Sequence, residues 1–354
     1  MLTITDSKNS LTDSYDVAVV GAGTAGCLAA SILAESGFTV CMIEKSRGVG
    51  GRASRRKLAA GVVDLGAPGF SDERLLRGTQ QAQLWRERLQ HWSEQGCVAR
   101  WSFAVGHFGE GSKPSNEERL CGAPSMNFLH RHLTATIPVM SCSRVVRLER
   151  ENTDWILLGE QGALFAKARQ IIITAPAQQT RPLFDWPGPW LPVMDNAVRQ
   201  TQAQWVAVLH FSTAQPQLAD VYRGEHPVLA EAIRDSSKPF RRHEGEYWVL
   251  HSTFNWADDH LHAQPEHVAQ SMKQAFLGSV GGVADPAVVS CHRWLLAQQR
   301  CASEDPGYLW SQQLNIGICA DWLMGGGIDG ALMSAQQLVS AQIIKTGSKE
   351  KSDE

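Results

Sequence analysis

The stretch "YDVAVVGAGTAGCLAASILAESGFTVCMIEKSRGVGGR", residues 15–52, carries two glycine clusters with an acidic residue between them. Residues 15–20 read as a buried parallel strand, and 24–36 as a helix with Leu28, Ile32 and Leu33 on one stripe. Gly37 ends that helix and 38–43 makes a second strand. The pattern is a βαβ opening. Gly21, Gly23 and Gly26 form GxGxxG at the strand–helix junction. The first permits a tight turn, the second lets a pyrophosphate approach the backbone, and the third allows helix and strand to pack closely. Thr24 and Ala25 begin the helix, whose free N–H groups and positive dipole end favour phosphate. Glu44, closing the second strand, is placed to accept hydrogen bonds from a ribose hydroxyl pair, with Lys45 beside it.

One such cluster suits any dinucleotide. The second, "KSRGVGGR", separates FAD from NAD, because FAD extends past the first turn and needs further amides and a cation. Gly50, Gly51 and Arg52 can supply these. "DLGAPGF" at 64–70 reads as another close-approach turn, with Gly66 and Ala67 at its centre. Far along the chain, "GICADWLMGGGIDGALMSAQQLVSAQI" at 317–343 repeats the strand–glycine turn–helix order, the helix being expected over 330–344. Its N-terminus would suit the flavin edge where negative charge builds on reduction, with Asp321 holding ribityl hydroxyls. A C-terminal helix that simply packs is the alternative.

The rest of the chain narrows the class. A 354-residue chain with 43% hydrophobic and 19% charged residues is long enough for two packed units. Net charge of -3 gives no push toward nucleic acid or anionic membrane. The longest apolar runs are strand-length, and residues 1–14 lack the apolar core of a secretory signal. The eight cysteines form no CxxC pair, so reduced thiols and a cytoplasmic location are expected. No metal site is expected. "HRH" (130–132) and "DDHLHAQPEH" (258–267) read better as helix positions, with Asp258 or Asp259 as a cap, than as ligands. Residues 74–95 and 128–135 are expected to be helical, and 109–119 to be a loop. Strands are expected within 139–177, 203–213, 246–256 and 287–296, with a helix over 265–278.

The expected fold is therefore α/β. It has a Rossmann-like FAD-binding domain built from discontinuous segments and a second, smaller sheet-containing substrate domain of α+β type. Segments 15–74, 125–178 and 300–344 are assigned to the first, 75–124 and 179–299 to the second, with 1–14 and 345–354 as flexible tails. Six of the twelve tryptophans fall between 186 and 294, either as core or as walls for a flat ligand.

"VVGAGTAGCLAA", "EKSRGVGGR", "CHRWLLA" and "ADWLMGGGIDGALMSA", with "SKPF" and "WVLHSTFNW", together resemble the renalase-like branch of the FAD-dependent amine oxidase superfamily. The likeness spans residues 15–343 and implies an architecture of the amine-oxidase and p-hydroxybenzoate-hydroxylase type. It implies an oxidase that takes a hydride at flavin N5 from the 2- and 6-dihydro isomers of NAD(P), with O2 as acceptor and hydrogen peroxide as product. It also implies that Val145 meets adenine through its backbone and that Asp321, Asp329, Gly330 and Ala331 border ribityl and flavin. Three departures stand out. Pro68, Gly69 and Phe70 replace Gln-Tyr-Phe, Gly327 replaces an arginine, and the Gly-Lys-Pro-Gly-like turn reads Gly122-Ala123-Pro124-Ser125.

His251, Trp256, His292 and Trp294 are the candidate catalytic residues lining the substrate pocket; His292 and Trp294 share a strand face. Each is also a possible core residue. Arg241 or Arg242 could meet a substrate phosphate, or both could be solvated. An amine, amino-acid or biosynthetic-intermediate oxidase is the alternative. It often uses a lysine–water near N5, and Lys273, on an expected exposed helix, is the one lysine in 241–300. A non-catalytic binding protein on the same scaffold is the remote alternative.

Overall fold

A computed structural model describes residues 14–78, 80–109, 115–186, 188–299 and 307–350. The expected tail at 1–14 lies outside it except for Ser14, and residues 351–354 of the other tail lie outside it too. The chain opens with β1 (Tyr15–Val20), α1 (Thr24–Glu35) and β2 (Val40–Ile43), followed by a hairpin of β3 (Arg55–Leu58) and β4 (Gly61–Asp64). Then come α2 (Gln80–Glu94), β5 (Val98–His107), β6 (Ser115–Gly122) and α3 (Phe128–Leu133). The strands β7 (Val139–Met140), β8 (Arg147–Glu151), β9 (Asp154–Leu158) and β10 (Leu164–Ile173) lead to two helices, α4 (Ala177–Thr180) and α5 (Leu191–Arg199). A second run of strands follows: β11 (Thr201–Phe211), β12 (Val221–Arg223), β13 (Leu229–Arg234) and β14 (Glu246–Ser252). The chain closes with α6 (Phe254–Asp259), α7 (Pro265–Val280), β15 (Ala287–Gln299), β16 (Leu309–Ser311), β17 (Ile316–Ile318) and α8 (Gly327–Glu350).

Two large sheets result. In the first, β17, β10, β1, β2 and β7 run parallel, with β16 antiparallel at one edge and β8–β9 appended to β10. Alternation along β1 decides which layer each side chain joins. Val17 and Val19 pack with α1 and with Leu332, Ala335 and Leu338 of α8, whereas Ala18 and Val20 pack with α4 and α5 through Ala177, Met194 and Ala197. Burial on both faces is what an all-apolar parallel strand requires. The second sheet has the order β15-β11-β14-β13-β12-β5-β6. Trp205, Ala207, Leu209, Trp248 and Leu250 turn toward α7, which answers with Val268, Ala269, Met272 and Phe276. Val206, Val208 and Val249 turn the other way, onto Val63 and Leu65 of the β3–β4 hairpin. The hairpin is thus the layer between the sheets. The fold is mixed α/β, with a Rossmann-like unit and a second sheet-containing unit.

Several local expectations change. The loop expected at 109–119 gives way to β6 from Ser115, with 110–114 outside the described residues. Its charged sequence joins a sheet because its side chains find cross-strand partners: Glu118 with Arg100, Glu117 with Arg223, and Arg119 with Glu231. The expected helix at 74–95 starts at Gln80, since Gly78 takes φ 84° and Arg74 is drawn away to the carbonyl of Met324. The last helix begins at Gly327 rather than 330 and runs to Glu350, into the segment expected to be a flexible tail. Asp258 and Asp259 cap nothing: they end α6, whose N-cap is Thr253, accepting from the Trp256 amide at 3.3 Å. Helix α7 instead starts at Pro265 with no side-chain cap.

Candidate functional site

At the end of β1 the chain turns at Gly21, with φ 102°, and enters α1. A Cβ on Gly26 would lie 2.1 Å from the Gly21 carbonyl oxygen, so helix and turn touch with no room for a side chain. A Cβ on Gly23 would meet nothing within 4 Å. That asymmetry fits the phosphate reading: one glycine closes a packing contact, and the other leaves space open beside free amides. Ala25 is buried, whereas Thr24 is half-buried beside Gly23. Glu44 is buried, and its carboxylate accepts from the amides of Ala22 and Ser46, both at 2.7 Å. Lys45 is exposed. The backbone of residues 142–143 folds back on this corner, Ser143 N–H donating to the Glu44 carbonyl at 2.9 Å, which brings the half-buried Val145 to the same end.

The second cluster lies against the first. Gly50 N–H donates to the Ala22 carbonyl at 2.8 Å, and a Cβ on Gly51 would come 3.3 Å from the Gly23 Cα. From there the contacts run in one direction. Ala67 N–H donates to the Arg52 carbonyl at 3.0 Å, and a Cβ on Gly66 would sit 1.7 Å from that same oxygen. Arg52 reaches Asp321 with two bonds, 2.9 and 2.5 Å. Residues expected to hold different parts of one cofactor therefore pair with each other. Gly325, Gly326 and Gly327 follow with φ between 72° and 86°, and Asp329 is ion-paired to Arg74 at 2.9 Å. At Gly327, whose φ of 81° strains any residue with a side chain, a Cβ would lie 2.6 Å from the Asp329 carboxylate. Gly330 and Ala331 are buried at the start of α8.

The line of contacts ends on the hairpin-facing side of the second sheet. Trp294 Nε1–H donates to the Leu65 carbonyl at 3.0 Å, and Arg52 also reaches the Ala297 carbonyl. Val206 pairs with His251 on one side and His292 on the other, so both histidines share its face. His292 meets Trp294 edge-on at 4.5 Å. His251 is buried; its Nδ1 faces Gln204 Oε1 at 3.4 Å, and its Nε2 has no hydrogen-bond partner among the described residues. Burial pushes His251 down to about 4, against the pull of Glu231 and with the help of the Lys238 and Arg119 charges. Burial and the Arg56 charge lower His292 as well. Both imidazoles are neutral at pH 7.

Trp256 is placed elsewhere. It stacks on His260 at 4.0 Å and packs with the α7-side core, on the opposite side of the sheet from His251. Arg241 is not available to a substrate phosphate either. Its side chain, with those of Asp64, Asp235 and Lys238, forms a fully buried charge cluster between hairpin and sheet. Burial works against the Asp64 carboxylate, and Lys238 and Arg241 hold it low nonetheless. Sequence reasoning missed this cluster and the role of Gln204. Its members stood apart in the sequence, Asp64 opening "DLGAPGF", Lys238 in "SKPF" and Arg241 read as a phosphate contact or a solvated residue. Lys273 lies away from the site, paired to Asp285 at 2.7 Å.

The profile of a Rossmann-like NAD(P)-binding domain matches residues 19–79, and that of the flavin containing amine oxidoreductases matches residues 129–341, more than half of the chain. Among solved structures, putrescine oxidase bound to putrescine is similar at 12% identity and TM-score 0.69, covering 94% of this chain and 99% of that one. A protein from Exiguobacterium sp. 255-15 assigned as a protoporphyrinogen oxidase gives 12% identity and TM-score 0.73 over 94% and 99%. Cyclohexylamine oxidase from Brevibacterium oxydans IH-35A gives 11% and 0.67 over 93% and 98%. At these identities the likeness is one of fold.

Proposed function

Since the chain belongs to the flavin containing amine oxidoreductase family and is a FAD-dependent oxidoreductase, we propose that it is an oxidase of the renalase-like branch. Its substrate would be a dihydronicotinamide, in the 2- or 6-dihydro form of NAD(P). FAD held here would supply the two-electron acceptor, with O2 as the final acceptor and hydrogen peroxide as the product. The dinucleotide's adenosine end would be held by Glu44 and the segment at Val145, its pyrophosphate by the α1 amides and the 50–51 turn, and its flavin end by the 66–67 turn, Asp321 and the α8 start.

The observation that carries the substrate reading is the face around Val206. Loss of a hydride from a dihydronicotinamide needs alignment of the ring and no prior removal of a proton. The side chains on that face, Gln204, His251, His292 and Trp294, are neutral and able to stack or hydrogen-bond, which suits a flat uncharged ring. His251 Nε2, buried and without a partner among the described residues, would be the acceptor for a substrate N–H. Arg56, whose Nη1 donates to Ser290 Oγ at 2.7 Å, brings a cation to the same face for a phosphate. Amine oxidation is the second reading, supported by what the names of putrescine oxidase and cyclohexylamine oxidase say of those proteins. Against it, Lys238, whose charge reaches His251, is held by two buried carboxylates.

Anaerobic mixing with each dihydro isomer should bleach the flavin within seconds, while putrescine or cyclohexylamine leaves it yellow. Bleaching by the amines alone would reverse the assignment.

A further inference from the structure

We infer that His130 is a positioning residue for the pyrophosphate of FAD, acting through the hydroxyl of Thr24. The inference rests on the cofactor and not on the choice of substrate. His130 comes from α3, a long way along the chain from the glycine turn, yet its Nε2 lies 2.9 Å from Thr24 Oγ1. Thr24 is the first residue of α1, next to the open space at Gly23. The segment that delivers His130 is itself tied to both neighbouring loops. Asn127 packs so closely on Gly50 that a Cβ there would lie 2.9 Å from its own, and Met126 N–H donates to Asp64 at 2.9 Å. His130 therefore sits in the floor between the two glycine clusters.

A core role alone does not call for imidazole at this place. The residue is 2% exposed, and its Nδ1 makes no well-formed hydrogen bond among the described residues, only the Met126 carbonyl acting on it. A leucine would fill the volume with no polar atom to satisfy. What the ring adds is a fixed partner for Thr24. A threonine hydroxyl at a helix start rotates freely and can turn back onto the backbone. With Nδ1–H turned to the Met126 carbonyl, only a protonated ring, which the charge of a bound pyrophosphate would favour, donates from Nε2 to Thr24 Oγ1 and so leaves the hydroxyl proton for a phosphate oxygen on the half-exposed side.

The test uses the full chain stripped of flavin and titrated calorimetrically with FAD, ADP and adenosine. H130F, which fills the core, should weaken FAD and ADP about tenfold and adenosine less than twofold. T24V should do the same, and H130F/T24V should be no worse than either single change, because both remove one device. In the wild type, the His130 ring nitrogens should shift in NMR spectra on adding ADP and stay put with adenosine. ADP affinity within twofold of wild type in T24V would overturn the inference, even if H130F failed to fold. So would an equal loss for adenosine, or His130 signals indifferent to ADP.

Discussion

The glycine-walled corner of the first sheet and the histidine face of the second sheet, which would serve one site in the proposed function, are built in opposite ways. At the corner the ligand would be read by backbone. Gly21, Gly23, Gly26, Gly50 and Gly51 work by what they lack, and all fall within one short stretch around a single helix. At the face the ligand would be read by side chains on strands far apart in sequence. Gln204, His251 and His292 become neighbours only through the pairing of β11 with β14 and β15. Contact through amides leaves a contiguous trace in the chain; contact through side chains leaves none until the register is set.

The strongest way to test the corner is to separate its two kinds of glycine. G26V should be the most damaging change, because its Cβ starts 2.1 Å from a backbone oxygen that cannot swing away. Colourless or insoluble protein is expected. G23A adds a methyl to open space, so its melting temperature without flavin should match wild type while FAD affinity falls at least about tenfold. If G23A bound FAD normally, the open space would not be where phosphate sits, and the contrast between the two regions would lose one side.

Smaller, but still large, is the effect expected at the junction of the two regions. Lys238 meets Asp64 at 3.0 Å and Asp235 at 2.7 Å, all three fully buried. K238M would leave two interior carboxylates facing Arg241 alone, a loss of about 3–5 kcal/mol by analogy with broken buried pairs. Urea denaturation gives the number. The cluster links β4, directly before the 65–67 turn, to the sheet that carries the histidines. K238M holoprotein should therefore also show a shifted flavin absorption spectrum. A loss below 1 kcal/mol with an unchanged spectrum would mean that the hairpin is held by Val63 and Leu65 packing alone.

What could be read in advance follows the same division. Strand, turn, helix and acid in 15–44 are fixed by local rules, and each lies where those rules put it. The glycine turn before α8 was legible for the same reason. Strand β6 was not, because Ser-Asn-Glu-Glu-Arg reads as a loop until Arg100, Arg223 and Glu231 stand opposite it. Trp256 and His251 stand five residues apart and looked equivalent. Thr253 starts a helix between them, which carries Trp256 to the covered side of the sheet. The pairing of Arg52 with Asp321 joins two loops far apart in the chain, which no spacing encodes.

The finest distinction concerns protons. His251 titrates near 4 in the folded chain, against an ordinary value near 6.5, because burial disfavours its charged form. Between those values the unfolded chain binds the proton and the folded chain does not. Stability is therefore lost as pH falls from about 6.5 toward 4, by up to about 3 kcal/mol for this group. His130, also lowered to about 4 by burial, adds a parallel loss in the same window. H251Q keeps a polar side chain of similar size that does not titrate. Its melting temperature should fall less than that of wild type between pH 7 and pH 5, with the remaining slope belonging to His130 and the carboxylates. An unchanged slope in H251Q would mean that water reaches the ring, and the face around Val206 would then be an open surface rather than the closed, neutral wall that a flat ring requires.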